Sequence, residues 1–247
     1  LLVPSCWKSF LQVLGFFLFY IGRDNALLVA HALSMSSPET MSPKPRILCL
    51  HGLSQSATIF SNKIGGARRK LSRFYDLDFL DGPVEYGEGR GWWIRNEQGQ
   101  HVGVETPFDH VRNHVQQQTR PYDALLGFSQ GGLLATALVL SGDVPNVKAI
   151  VTAGAPHVED TFQVALQRAP DEATLQAGLA IPKLHFAGET DTLIPVERVE
   201  KLSLQGGNGQ VIRHDKGHLF PTKASEVNQM MEFLELHLLQ SSITIQE

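Results

Sequence analysis

From Pro45 onward, short apolar runs alternate with longer segments of helical spacing. Arg46–Leu50, Asp76–Leu80, Asp123–Leu126, Val147–Thr152, Lys183–Gly188 and Gln210–His214 are short, rich in apolar residues and bounded by turn formers, the signature of strands. Ala57–Phe74, Phe108–Gln118, the run opening at Gly132, Asp160–Leu179, Val196–Leu204 and Glu226–Leu239 carry helical periodicity. Val84 to Gly103 is rich in Gly and polar residues and reads as a surface loop. There is no internal repeat and no heptad array. Alternating strands and helices predict an α/β domain: a mostly parallel sheet with helices on both faces. In such a sheet the chemistry gathers at the carboxyl ends of the strands. His51, Ser129, His157, Asp191 and His218 all fall near such ends.

The first 44 residues have a different pattern. Phe10 to Ile21 is strongly apolar and follows Lys8. It is short for a membrane span and fits the apolar region of a signal peptide, and Ala30-His31-Ala32 resembles a cleavage site. Met35 and Met41 each offer a start just ahead of the domain, within a Ser/Pro-rich lead-in. The expected organisation is a leader over 1–44, a domain over 45–240 and a tail over 241–247. A cytoplasmic location is favoured, with a secretory or organellar one following if residues 1–32 are a targeting segment.

Composition narrows the partners. The chain has 247 residues, 43% of them hydrophobic, enough for one sizeable core. A net charge of −4 offers no basic field for nucleic acid, and Arg68-Arg69-Lys70 reads as the solvated face of a helix. The two cysteines, Cys6 and Cys49, form no disulfide framework, and Cys49 sits in a core strand. No cofactor and no metal is implied, because the histidines and carboxylates lack ligand spacing.

The chemistry centres on Gly127-Phe128-Ser129-Gln130-Gly131, a G-x-S-x-G run between an apolar strand and a Pro-free helix. A serine on a tight strand-to-helix turn is held outward at a helix N-terminus. The dipole there favours developing negative charge. A serine hydroxyl needs a base, usually His, oriented by a carboxylate. In this arrangement the chain order is Ser, acid, His. Asp191 follows the Lys183–Gly188 strand and is preferred to Glu189 as the acid. His218, after the last strand and behind Gly217, is preferred to His214, within that strand, and to His237, on the terminal helix. The oxyanion hole needs two backbone N–H groups. Gln130 supplies one and Leu53, after the first strand, the other; His51 is expected to brace that loop.

Beyond the serine turn, Leu50-His51-Gly52, Leu80-Asp81-Gly82-Pro83, Arg90-Gly91-Trp92-Trp93, Asp191 through Pro195 and Gly217-His218-Leu219-Phe220-Pro221 form a set. That set resembles the FSH family, the "family of serine hydrolases", from about Arg46 to Leu239. The resemblance implies an α/β-hydrolase fold with little or no cap, and Ser129, Asp191 and His218 as the triad. It implies a hydrolase of carboxylic esters or thioesters acting through an acyl-enzyme on a small-molecule acyl substrate. The chain departs from the family at Ser56, where relatives often carry Asn or a bulkier residue. His157 to Ala180 is a candidate cap of variable length.

Substrate-binding candidates are Trp93, His157 and Leu193. Trp92, Phe60, Phe108 and Phe220 are apolar residues that core packing explains equally well. Two other readings stay open: an acyl-protein thioesterase or small carboxylesterase, whose serine turn is similar, and a hydrolase-shaped binding protein with little turnover. The acyl group, the leaving group and the oligomeric state are not legible.

Overall fold

The computed structural model describes residues 43–239. The expected leader, its apolar run and the C-terminal tail lie outside those residues. The elements run β1 (Arg46–Leu50), α1 (Ala57–Lys63), α2 (Gly65–Leu71), β2 (Asp76–Leu80), β3 (Val84–Tyr86), β4 (Gly89–Gly91), β5 (Ile94–Arg95), β6 (His101–Val102) and α3 (Thr106–Gln116). They continue β7 (Ala124–Phe128), α4 (Gln130–Ser141), β8 (Ala149–Ala153), α5 (Glu159–Arg168), α6 (Glu172–Ala180), β9 (Lys183–Gly188), α7 (Val196–Gly206), β10 (Gly209–His214) and α8 (Ala224–Leu238).

Six of these strands form one sheet in the order β10-β9-β8-β7-β1-β2, every neighbouring pair parallel. The chain steps from β1 to the β2 edge, returns across β1 to β7, then continues to the β10 edge. β1 and β7 are therefore neighbours on either side of a topological switch, with Leu50 opposite Gly127. The loops leaving both strands open at one place, where ligands of parallel sheets bind.

Strands buried on both faces need apolar side chains pointing both ways. Ile47, Cys49, Leu126, Val151 and Phe186 meet Phe60 of α1, Leu71 of α2 and Met230 and Leu234 of α8. Leu48, Leu50, Leu125 and Ile150 meet Leu133, Leu134 and Leu138 of α4, with Trp92, Phe108 and Phe162. Each such side chain contributes roughly 1.5–3 kcal/mol when fully buried. Helix α4 is buried at every position, which explains why its sequence is apolar all round.

Two expectations change. The helix expected over Ala57–Phe74 is two, because the backbone breaks at Ile64 before Gly65-Gly66, a poor pair for continuing a helix. The loop expected over Val84–Gly103 contains two antiparallel hairpins, β3–β4 and β5–β6. Their strands are only two or three residues long, too short to show alternation. The candidate cap from His157 to Ala180 folds as α5 and α6, both packed on α4, and only Val158 of this stretch borders the cleft.

The first residue of β9, Lys183, is buried. Its Nζ donates to the carbonyls of Gly178 at 2.8 Å and Ile181 at 2.7 Å, at the C-terminal end of α6, where a cation suits the helix dipole. Burial pushes this ammonium down to about 8. Below that pH the group is charged in both folded and unfolded chains, so its burial cost is constant. Between about 8 and its ordinary value of 10.5, the folded chain has lost a proton that the unfolded chain retains. Stability from this group therefore rises with pH across that window. Lys183→Met removes the rise. Denaturant titrations at stepped pH should show the stability difference moving toward wild type by on the order of 1–3 kcal/mol between about pH 8 and 10. A difference that is flat with pH would refute the assignment.

Candidate active site

Ser129 joins β7 to α4 with φ 51° and ψ −117°. Positive φ at a non-glycine residue costs on the order of 1–3 kcal/mol. The turn is held by neighbours on both sides. The Ser129 N–H donates to the Ala153 carbonyl of β8 at 2.8 Å, and its own carbonyl accepts from Gly132 and Leu133 at 3.0 and 3.2 Å. Close packing dictates the motif glycine behind it: a methyl at Gly131 would lie 2.3 Å from the Leu50 carbonyl oxygen.

The structure brings the predicted partners to this serine. His218 Nε2 lies 3.0 Å from Ser129 Oγ, and His218 Nδ1 lies 2.7 Å from Asp191 Oδ2. The other carboxylate oxygen, Asp191 Oδ1, accepts the backbone N–H groups of Leu193 and Ile194 at 2.9 and 2.8 Å. Both oxygens are thereby occupied in a carboxylate that is 1% exposed, while His218 is 17% exposed. The loop after β9 thus fixes Asp191, and Asp191 fixes the imidazole. His218 packs over Phe128 with ring centroids 4.9 Å apart. The rivals Glu189 and His214 take no part: the Glu189 N–H donates to the His214 carbonyl, and the His214 ring accepts from the Lys216 N–H.

Across the switch point, the loop after β1 turns at Gly52 to Gln55, where the Gln55 N–H donates to the Gly52 carbonyl at 3.2 Å. Ser54 sits at φ 61°. His51 braces this loop, as expected. Its Nε2 accepts the Gly82 N–H at 2.9 Å, which leaves the proton on Nδ1 to donate to the Gly52 carbonyl at 2.7 Å. Burial lowers the pKa of this ring, consistent with that neutral tautomer. Trp92 stacks on His51 and donates its Nε1–H to the His51 carbonyl at 2.8 Å. Asp81 accepts the Ala57 N–H at 2.7 Å, and Ser56 accepts that of Ile59 at 3.1 Å, so both cap α1. The N–H groups of Leu53 and Gln130 donate to no acceptor among the described residues.

The side chain of Gln130 has a role that the sequence did not reveal. Its Oε1 accepts the Trp92 N–H at 3.0 Å and its Nε2 donates to the Trp93 carbonyl at 2.8 Å. The residue after the serine therefore clamps the backbone of the tryptophan pair. No sequence signal marks a bond between residues so far apart in the chain.

Above Ser129 lies a cleft of about 830 Å³, ample for an acyl ester. Trp93 and Leu193 line it, as do Phe60 and Phe220. Leu193 is 68% exposed at the mouth. His157 does not line it: Pro156 and Val158 do, while the His157 ring turns inward onto Phe162 at 4.7 Å. Phe108 is likewise core, beneath the Arg168 guanidinium. Trp92 is fully buried.

A parallel sheet with a strained serine turn, flanked by an acid and a histidine on later loops, defines an α/β-hydrolase. The chain belongs to the FSH1 serine hydrolase family, whose model matches residues 41–230, and it is a hydrolase. It is 27% identical over 228 residues to Esterase CG5412 of Drosophila melanogaster, covering 82% of this chain and 80% of that one. It is 28% identical to human Esterase OVCA2, covering 77% of this chain and 95% of the relative. Among solved structures, acyl-protein thioesterase 2 of Zea mays superposes with a TM-score of 0.60 at 18% identity, over 79% of this chain and 94% of that one. At that identity the likeness speaks for the fold. No described helix is long and apolar enough to cross a membrane.

Gln130→Met keeps the bulk of the clamp but leaves the buried Trp92 N–H and Trp93 carbonyl unpaired. Each orphaned group costs about 1–3 kcal/mol. Urea denaturation should register a loss of about 2–6 kcal/mol for the two groups, and unchanged stability would show that the clamp contributes nothing.

Proposed function

We propose that this hydrolase cleaves carboxylic esters or thioesters through an acyl-enzyme. The observation that carries the reading is the unbroken hydrogen-bonded run from Asp191 through His218 to Ser129. His218 takes the serine proton as Oγ attacks the acyl carbonyl, then delivers it to the departing alcohol or thiol. Asp191 holds the imidazole in the tautomer that presents Nε2 to the serine and stabilises the imidazolium that forms.

The oxyanion is received by the Leu53 and Gln130 N–H groups, which supports their assignment because nothing else among the described residues uses them. Water then attacks the acyl-enzyme with His218 again as base, releasing the acid. The apolar walls of the cleft, with Trp93, Phe60 and Phe220, suit the acyl chain.

Fluorophosphonate should label the wild-type chain and not Ser129→Ala. Ser129→Ala and His218→Ala should each lower kcat on a p-nitrophenyl ester by about a millionfold, as in comparable triads. Asp191→Asn should cost about ten thousandfold through the wrong tautomer. Full labelling of Ser129→Ala would remove the nucleophile assignment.

A further inference from the structure

The proposed acyl chemistry does not use the charge pattern of the cleft. No Asp or Glu lines it, whereas Lys63, Arg95 and Arg198 all do, in a chain whose net charge is −4. Arg95, at the end of β5, donates its Nε–H to His101 Nε2 at 3.0 Å. Arg198, in the first turn of α7, donates to the His157 carbonyl at 3.2 Å. Neither guanidinium is ion-paired with a carboxylate among the described residues, and Asp160 in this corner is engaged by His101 Nδ1 at 3.4 Å.

The two cations feel each other. Burial and then the charge of Arg95 lower the Arg198 pKa; burial first and then Arg95 lower that of His101, against Asp160, with Arg198 adding the smallest push. Both guanidiniums line one cleft and Asp160 is taken up by His101, so an anion seated between the two arginines is favoured by both charges. The planar guanidinium fork matches a carboxylate or phosphate. His101 fixes one fork, and the His157 carbonyl fixes the other. This corner is tied to the nucleophile's helix: Gln130 holds Trp93, whose ring meets His101 edge-on at 6.3 Å.

We propose that Arg95 and Arg198 form an anion subsite in the cleft, so that the substrate is an ester or thioester carrying a carboxylate or phosphate apart from its reacting carbonyl. This rests on the hydrolase reading of Ser129. The charge sits either on the far end of the acyl chain or on the leaving group.

Two matched pairs separate those sources: p-nitrophenyl hexanoate against mono-p-nitrophenyl adipate, and hexanoylglycerol against hexanoylglycerol 3-phosphate. With the full chain, one charged member should exceed its neutral partner in kcat/KM by about tenfold or more, the equivalent of one charge-assisted hydrogen bond. Preference for the adipate places the charge on the acyl chain, and preference for the phosphate places it on the leaving group. In Arg95→Gln/Arg198→Gln the charged-to-neutral ratio should fall to about one, and the double lysine variant should recover part of it. Arg95→Glu alone, at an exposed position, should lower the ratio without disturbing buried structure. Raising salt from about 50 to about 500 mM should erode the ratio in wild type only.

The proposal fails if wild type prefers neither charged ester, or if the preference survives the double variant. Fluorophosphonate labelling reports separately on the hydrolase reading. If labelling of the folded wild type fails, the subsite is decided by binding. Adipate or inorganic phosphate that raises the melting temperature of wild type but not of the double variant sustains it; no difference between them overturns it.

Discussion

The backbone of Ser129 is the constraint around which this molecule is arranged. A residue at φ 51° does not stay there by itself. It stays because the elements before and after it cannot move: β7 and α4 are buried at every position. Any relaxation of the turn would shift a strand hydrogen-bonded to two neighbours or a helix packed on all sides. Well-packed cores resist such shifts, so the strain is retained. Its consequence is geometric. The side chain leaves the sheet edge pointing into the cleft, and the N-terminal amides of α4 open beside it.

Topology brings in the other components. β1 and β7 are paired with Leu50 opposite Gly127, so the loop after β1 must pass beside the serine. Adjacency alone does not set the loop's shape. Buried polar contacts do: His51 to Gly82 on one side, Trp92 to the His51 carbonyl on another, and Gln130 to the tryptophan backbone from beneath. Arg90 adds bonds to the Gly82 and Pro83 carbonyls. The Leu-Asp-Gly-Pro and Arg-Gly-Trp-Trp elements, far from the serine in sequence, thus converge on one loop. They are parts of a mould for the backbone that faces Ser129.

Much of this was legible in the chain. The four central strands, β1, β7, β8 and β9, announce themselves because burial on both faces demands nearly continuous apolar runs, while the half-exposed edges β2 and β10 were legible from their place in the strand–helix alternation. The Ser, acid, His order comes with the strand–turn–helix serine motif, and the alternation then located Asp191 and His218 after later strands. What escaped was of another kind. β5 and β6 are pairs of residues, stabilised by packing against Trp93 rather than by their own pattern, so His101 and Arg95 had no visible place in a site. The Gln130 clamp depends on two backbones meeting in space. His157 follows a strand, as a lining residue would, yet faces the core. A one-residue difference in a loop decides that direction, and the neighbours Pro156 and Val158 line the cleft instead.

The histidines show why contact with a carboxylate does not by itself make a base. The chain has ten. His51 and His185 are buried, and desolvation keeps both neutral; His185, pushed down to about 3, meets Thr152 at 2.8 Å within the core. They serve as hydrogen-bonded struts. His114 meets Asp78 at 3.3 Å, but presents the same Nε2 to Tyr122, so no second nitrogen is engaged with a proton donor. His101 has Asp160 on one nitrogen and Arg95 on the other, and a guanidinium does not surrender its proton. Only His218, among the described histidines, joins a buried carboxylate at Nδ1 to a serine hydroxyl at Nε2. The distinction lies in what the far nitrogen meets, and the strained turn at Ser129 supplies it.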